Sequence, residues 1–192
     1  MNNIAIFASG SGTNAENIIQ FFRTDPDIRV KLVCSNKPGA KVLERAQQHG
    51  IETFTFSRKD LYETDVVLDQ LHAEGIDFIV LAGFLWLVPG KLVNAYPGAI
   101  VNIHPALLPK YGGKGMYGEH VHAAVIANGE PNSGISIHFV NEKYDDGDII
   151  FQATCPLEGT DTPDSLAEKV HALEYEHYPR VIREVIKNRQ VN

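Results

Sequence analysis

Short, wholly apolar runs separated by helix-length amphipathic segments constrain this chain more than any other feature. "NIAIFAS" (Asn3–Ser9), "VKLVCS" and "DFIVLAG" (Asp77–Gly83) lack the polar alternation of a half-exposed strand. Such runs suit strands covered on both faces, the signature of a parallel sheet flanked by helices. Between them lie helical patterns around "AENIIQFFR" and along "AKVLERAQQHG", the latter with Gly50 as a C-terminal stop. "IETFTF" reads as a further strand, followed by a helix from Asp60 to Glu74 closed by Gly75, and a short helix is expected near Pro89–Ala95. The pattern changes after the strand "AIVNIH". A glycine-rich loop leads to a helix near Val121–Ala127, and "GISIHFV" and "DIIFQATC" can pair as a hairpin around "NEKYDDG". A long helix runs from Pro163 to about Asn188, with Thr162 as N-cap and Pro163 at N1. Pro179 is expected to kink or split it. The expectation is one α/β domain over residues 1–192: a doubly wound, mostly parallel, Rossmann-like sheet with a C-terminal antiparallel portion and a long C-terminal helix.

Composition narrows the function classes. At 44% hydrophobic and 21% charged residues, the chain can bury a core and is not disordered. A net charge of −7 argues against nucleic acid and anionic membranes as partners, so an anionic substrate needs a local site. Two cysteines, Cys34 and Cys155, make no disulfide framework, and no window has the length and apolarity of a signal peptide or a membrane span. A cytoplasmic protein is expected.

"SGSGTN" (Ser9–Asn14) sits where the first strand gives way to the first helix. Glycines there let backbone N–H groups approach an anion, and the helix N-terminus adds partial positive charge. Gly10, Gly12 and Ala15 also satisfy a loose dinucleotide pattern, but the second strand ends in Cys34-Ser35-Asn36-Lys37 without the carboxylate that would hold a ribose. A single phosphate is the better reading, and a tight turn that binds nothing is the plain alternative.

In "AIVNIHPALLP", alternation puts Asn102 and His104 on one face and Ile103 on the other, against the core. A buried amide and imidazole must be satisfied or used. "YDDGD" offers Asp145, Asp146 and Asp148 on a later turn. A carboxylate folded back onto His104 would raise the imidazole pKa and orient the ring. Asn, His and Asp together can polarise a carbonyl and manage protons. No serine or cysteine nucleophile accompanies them, which favours direct transfer to an incoming amine over an acyl-enzyme. His104, His120, His122 and His138 raise the question of a metal, yet residues two apart on a helix point in different directions and no zinc spacing is complete; no metal is expected.

"SGSGTN", "LAGF", "NIHPALLPKY", "GISIHFV", "DDGDIIFQ" and "LEYEHYPRVI" occur in the order found in phosphoribosylglycinamide formyltransferases, and the chain resembles that family over essentially its whole length. The resemblance implies formyl transfer from 10-formyltetrahydrofolate, a co-substrate, to the amine of glycinamide ribonucleotide in purine biosynthesis. It implies a catalytic trio of Asn102, His104 and Asp145, with Asp145 chosen because the family motif runs Asp, any residue, Gly and ends on Gly147. Asn102 and a protonated His104 would stabilise the oxyanion while Asp145 supports the imidazolium. The ribonucleotide phosphate and ribose would meet Gly12, Thr13, Asn14 and Glu174. The reduced folate would meet Leu85, Trp86, Leu87, Val88, Asn141 and Tyr144, although some of these apolar residues have an ordinary core reading.

Two departures stand out. Trp86 occupies a position where many members carry Arg, and the loop from Tyr111 to His122 is a few residues longer than usual, with four glycines and Lys114 suggesting a lid. Rival readings are a methionyl-tRNA formyltransferase or a formyltetrahydrofolate hydrolase, each expected to carry a further domain for which this chain has no room, and a non-catalytic binder, which would not need the trio. The sequence leaves monomer and homodimer open, and the roles of His122 and His138 undecided.

Overall fold

A computed structural model describes residues 1–189. Seven strands form one sheet in the order β3-β2-β1-β4-β5-β6-β7. Strands β1 (Asn2–Phe7), β2 (Ile28–Ser35), β3 (Glu52–Thr55), β4 (Phe78–Leu81) and β5 (Ile100–His104) run parallel. Strands β6 (Asn132–Phe139) and β7 (Ile149–Pro156) add antiparallel pairs at one edge. The apolar runs occupy the centre: Ile4 to Phe7 and Phe78 to Leu81 are buried along their whole length. The chain moves outward from β1 through β2 to β3, then returns to place β4 on the other side of β1. That reversal opens a crevice beyond the C-terminal ends of β1 and β4, where sheets of this kind place ligands.

Helix α1 (Thr13–Phe22) follows β1, α2 (Lys41–Gln48) follows β2, and two short helices stand where one was expected between Asp60 and Glu74. These are α3 (Arg58–Tyr62) and α4 (Val66–Ala73). The first begins two residues early because Ser57 and Asp60 form a capping box. It stops because the Thr64 hydroxyl donates to the Asp60 carbonyl (3.1 Å) and accepts from the Val66 N–H (3.5 Å), replacing a helical turn by a side-chain one. Helices α5 (Gly90–Ala95) and α6 (Glu119–Ala127) lie close to their expected positions.

The last helix, α7 (Pro163–Arg189), is not split at Pro179, which lies inside it. Proline removes the N–H that would serve the carbonyl four residues earlier. That carbonyl belongs to Tyr175, and the Asn17 side chain on α1 donates to it at 3.0 Å. The neighbouring helix thus supplies the missing donor. Tyr178, fully buried, donates its hydroxyl to the Leu81 carbonyl (2.8 Å) and lies 3.3 Å from that of Val101, locking α7 against β4 and β5. Among the described residues, no helix is long and apolar enough to cross a membrane.

Asn17→Ala should therefore lower stability by about 1 kcal/mol, or about 2–4 °C in thermal midpoint. In a Pro179→Ala background, where Tyr175 regains a helical donor, the same substitution should cost much less; thermal melts of the four-variant cycle measure the difference.

Candidate active site

The crevice contains a cavity of about 590 Å³, a size that suits a small ligand. Three chain segments at the strand ends build its floor: Gly10–Asn14 after β1, Ala82–Leu85 after β4, and Asn102–Pro105 at the end of β5. Ser9 ties two of them together, donating to Asn36 Oδ1 at 2.7 Å and accepting from the Leu85 N–H at 3.1 Å.

The first segment turns sharply into α1 at Gly12, whose φ of 76° is left-handed. A Cβ there would sit 2.5 Å from the Val42 side chain, so both conformation and packing require glycine. Asn14 Nδ2 donates to Glu174 Oε2 at 2.8 Å, while Asn14 Oδ1 is buried with no partner. Glu174 is only 6% exposed, one turn before Tyr178 on the same face of α7. Burial pushes its carboxyl pKa up, against the opposing pull of the Asn14 amide and His171.

At the end of β5, alternation holds as expected. Ile103 is buried, and Asn102 and His104 pair across the antiparallel ladder with His138 and Ser136. His138 is thereby brought beside Asn102, with 3.1 Å between Nε2 and Asn102 Nδ2. Its Nδ1 donates to the Phe139 carbonyl at 2.8 Å, which leaves Nε2 to accept from the amide. Asp145 reaches into the same group: Oδ1 lies 3.4 Å from Asn102 Nδ2 and 3.6 Å from His138 Nε2, and Oδ2 lies 3.5 Å from His104 Nδ1. The Gly113 N–H also donates to Oδ2, at 3.0 Å. Burial alone would raise the Asp145 pKa, but His138, His104 and the Gly113 N–H together hold it below the usual carboxylate range. Asp146 instead meets Lys143 and Asn141 on the turn's outer side.

The expectation of a raised His104 pKa is corrected. His104 is 3% exposed, and this burial lowers its pKa despite the nearby Asp145 carboxylate and the Tyr111 carbonyl. His104 Nε2 donates to that carbonyl at 2.7 Å, so in the neutral ring Nδ1 is the free acceptor, facing Asp145. The segment carrying Tyr111 is itself pinned. Ser136 Oγ accepts from the Leu108 N–H (2.9 Å) and donates to the Ala106 carbonyl (2.7 Å), and the Tyr111 hydroxyl donates to Glu130 (2.8 Å).

Of the other residues singled out in the sequence, Leu85 and Tyr144 line the cavity. Trp86 packs among Phe56, Tyr62 and Phe84 with Arg58 over its ring, Val88 is buried in the core, and Leu87 offers its carbonyl to Tyr62. Asn141 caps its own turn by accepting from the Lys143 N–H. The glycine-rich loop forms one wall, with Gly113 through Gly118 lining the cavity. His122 and His171 line it too. His122 is buried with its Nδ1 unpartnered, and burial, with His171 and His104 nearby, lowers its pKa. The one sequence signal for His171 is its position three residues before Glu174 on one helix face.

Residues 2–182 match the family model described as formyl transferase. The phosphoribosylglycinamide formyltransferase of Bacillus subtilis is 35% identical over 97% of this chain and 95% of its own. The chloroplastic phosphoribosylglycinamide formyltransferase of Arabidopsis thaliana is 39% identical over 97% of this chain, which spans 66% of that protein's length. Among solved structures, phosphoribosylglycinamide formyltransferase from Bacillus halodurans superposes with a TM-score of 0.86 at 39% identity, covering 96% of this chain and 95% of that one. Glycinamide ribonucleotide transformylase 1 from Geobacillus kaustophilus gives 0.87 at 38%, covering 96% and 98%.

Because the fold raises the Glu174 pKa, the unfolded chain ionises this group more readily, and stability falls as pH climbs from the unfolded value, about 4.3, toward the raised one. Glu174→Gln keeps an acceptor for Asn14 and removes the charge. It should melt above the wild type at pH 7, with the gain vanishing near pH 4; a midpoint below wild type at both pH values would contradict this assignment.

Proposed function

The chain belongs to the formyl transferase family, and from that premise we propose that it moves a formyl group from 10-formyltetrahydrofolate to the amine of glycinamide ribonucleotide, a step of purine biosynthesis. The observation that carries this reading is the convergence of Asn102, His104 and Asp145 at one end of a cavity whose other end is the Gly10–Asn14 loop. A phosphate on Gly12, Thr13 and Asn14, with the ribose hydroxyls against Glu174, leaves the glycinamide amine pointing toward His104. Residues 1–192 then act as one formyltransferase domain in the cytoplasm, on small molecules alone.

The amine nitrogen attacks the formyl carbon, and the new C–N bond pushes the carbonyl electrons onto oxygen. Asn102 meets that charge by turning the amide hydrogen of its long 3.4 Å contact with Asp145 toward the oxyanion. Neutral at rest, His104 accepts the amine proton at Nδ1, and the resulting imidazolium is held between Asp145 and the Tyr111 carbonyl while it adds its charge beside the oxyanion. Collapse of the intermediate breaks the bond to the folate nitrogen, which leaves with a proton passed from His104. His138, donating at Nδ1 and accepting at Nε2, keeps the Asn102 amide turned the right way. These groups handle both charge and protons, so the reading needs no metal. The reduced folate lies against Leu85 and Tyr144, with Trp86, Leu87 and Val88 behind that wall and Asn141 shaping the turn that presents Tyr144.

The glycine-rich loop closes this site as a lid. Lys114 is the one lysine or arginine among the described residues lining the cavity, which the carboxylates Asp145 and Glu174 also line. A dianionic substrate needs that charge. Lys114→Ala should raise KM for the ribonucleotide more than KM for the folate, in initial rates with each substrate varied in turn.

The test of the function is an absorbance assay of formyl transfer with and without glycinamide ribonucleotide. Turnover only in its presence is the expected result, and equal turnover without it marks a hydrolase. His104→Ala should lower kcat by about 10²–10⁴-fold while ribonucleotide binding survives.

A further inference from the structure

The Gly10–Asn14 loop contains no lysine or arginine, so anion binding there depends on which way its backbone N–H groups point. Their direction is set from outside the cavity, by α2. The Val42 N–H donates to the Gly10 carbonyl at 3.2 Å, and Arg45 Nε donates to the Ser11 carbonyl at 2.9 Å. In a planar trans peptide the carbonyl and the following N–H point in opposite directions. Drawing the Gly10 and Ser11 carbonyls toward α2 therefore turns the N–H groups of Ser11 and Gly12 away from it, on the side where the loop lines the cavity.

The two anchors differ in kind. Val42 holds Gly10 through the helix backbone, whereas the Ser11 peptide depends on one side chain. Arg45 is itself held: its guanidinium forms an ion pair with Glu16 on α1, and His49 Nε2 lies 3.2 Å from the other Glu16 oxygen. Glu16 stands one turn into the helix whose N-terminus faces the site. Arg45 thus joins the loop, the helix that follows it, and α2. Without this restraint the Ser11–Gly12 peptide can rotate, since left-handed glycine tolerates either orientation.

We propose that Arg45 is a positioning residue for ribonucleotide binding, holding the Ser11–Gly12 peptide so that the Gly12 N–H meets the substrate phosphate. The proposal rests on the phosphate-loop reading above and adds a residue that touches no substrate. Arg45→Ala should raise KM for glycinamide ribonucleotide about tenfold, the scale of one charge-assisted hydrogen bond, with kcat and folate KM within about twofold of wild type. Arg45→Lys should fall between, because an ammonium cannot serve the Ser11 carbonyl and the Glu16 carboxylate with one planar fork.

Inorganic phosphate serves as a second probe, read as competitive inhibition and as a rise in thermal midpoint. Both should weaken in Arg45→Ala in parallel with ribonucleotide KM. Unchanged ribonucleotide KM and phosphate inhibition would overturn the proposal. So would an equal loss across kcat, folate KM and stability, which is the signature of a merely structural ion pair. If Arg45→Ala does not fold, the same comparison is made with Arg45→Lys. If wild type shows no formyl transfer, the functional reading fails, yet phosphate-dependent melting of wild type and variant still decides the role of Arg45.

Discussion

One carboxylate gathers the side chains at one end of this cavity. Asp145 contacts Asn102 and His104 from β5, His138 from β6 and the Gly113 N–H of the glycine-rich loop, joining three parts of the chain. It does so from an unusual backbone, with φ of 52°. A non-glycine residue there costs conformational energy, which its four contacts offset. Gly147 permits the approach of the turn, since a Cβ would sit 1.8 Å from the Phe139 carbonyl oxygen. Removing the carboxylate would take from Asn102, the two buried imidazoles and the Gly113 N–H the one group that all four contact.

The cavity is electrostatically uneven, and the unevenness assigns its ends. At one end the two imidazoles and the Gly113 N–H lower the Asp145 pKa against the effect of burial, while burial lowers that of His104. At the other end Glu174 is buried with a raised pKa, beside an Asn14 oxygen that has no partner. Such an unpaired buried acceptor is costly in a core, and a donor such as a ligand hydroxyl would satisfy it. The Gly10–Asn14 loop has no cation of its own, which gives weight to the supports behind it.

Legibility in the sequence varied with the range of the interaction. The central strands, the hairpin and the shared face of Asn102 and His104 followed from local periodicity. The capping of α7 by Thr162 did as well, with the Ser165 N–H donating to its hydroxyl. Two features depended on a side chain that local periodicity does not register. Thr64 split one helix, and Asn17, 158 residues away in sequence, kept another whole by serving the carbonyl that Pro179 leaves free. The direction of the His104 pKa failed for a related reason: sequence suggested a carboxylate partner but gave no measure of burial, and burial is the larger effect.

By itself the sequence determined the alternation of strands and helices, the glycine turn into α1, the polar face of β5 and, through ordered motifs, the family. These depend on residues a few positions apart, where chain geometry leaves little choice. Only the tertiary structure decided that His138 stands opposite Asn102, and that Trp86 and Val88 pack behind the cavity rather than line it. It alone placed Arg45 against the Gly10–Asn14 loop. Each of these depends on register between strands or docking between helices, set by packing summed over the whole core rather than by neighbours along the chain.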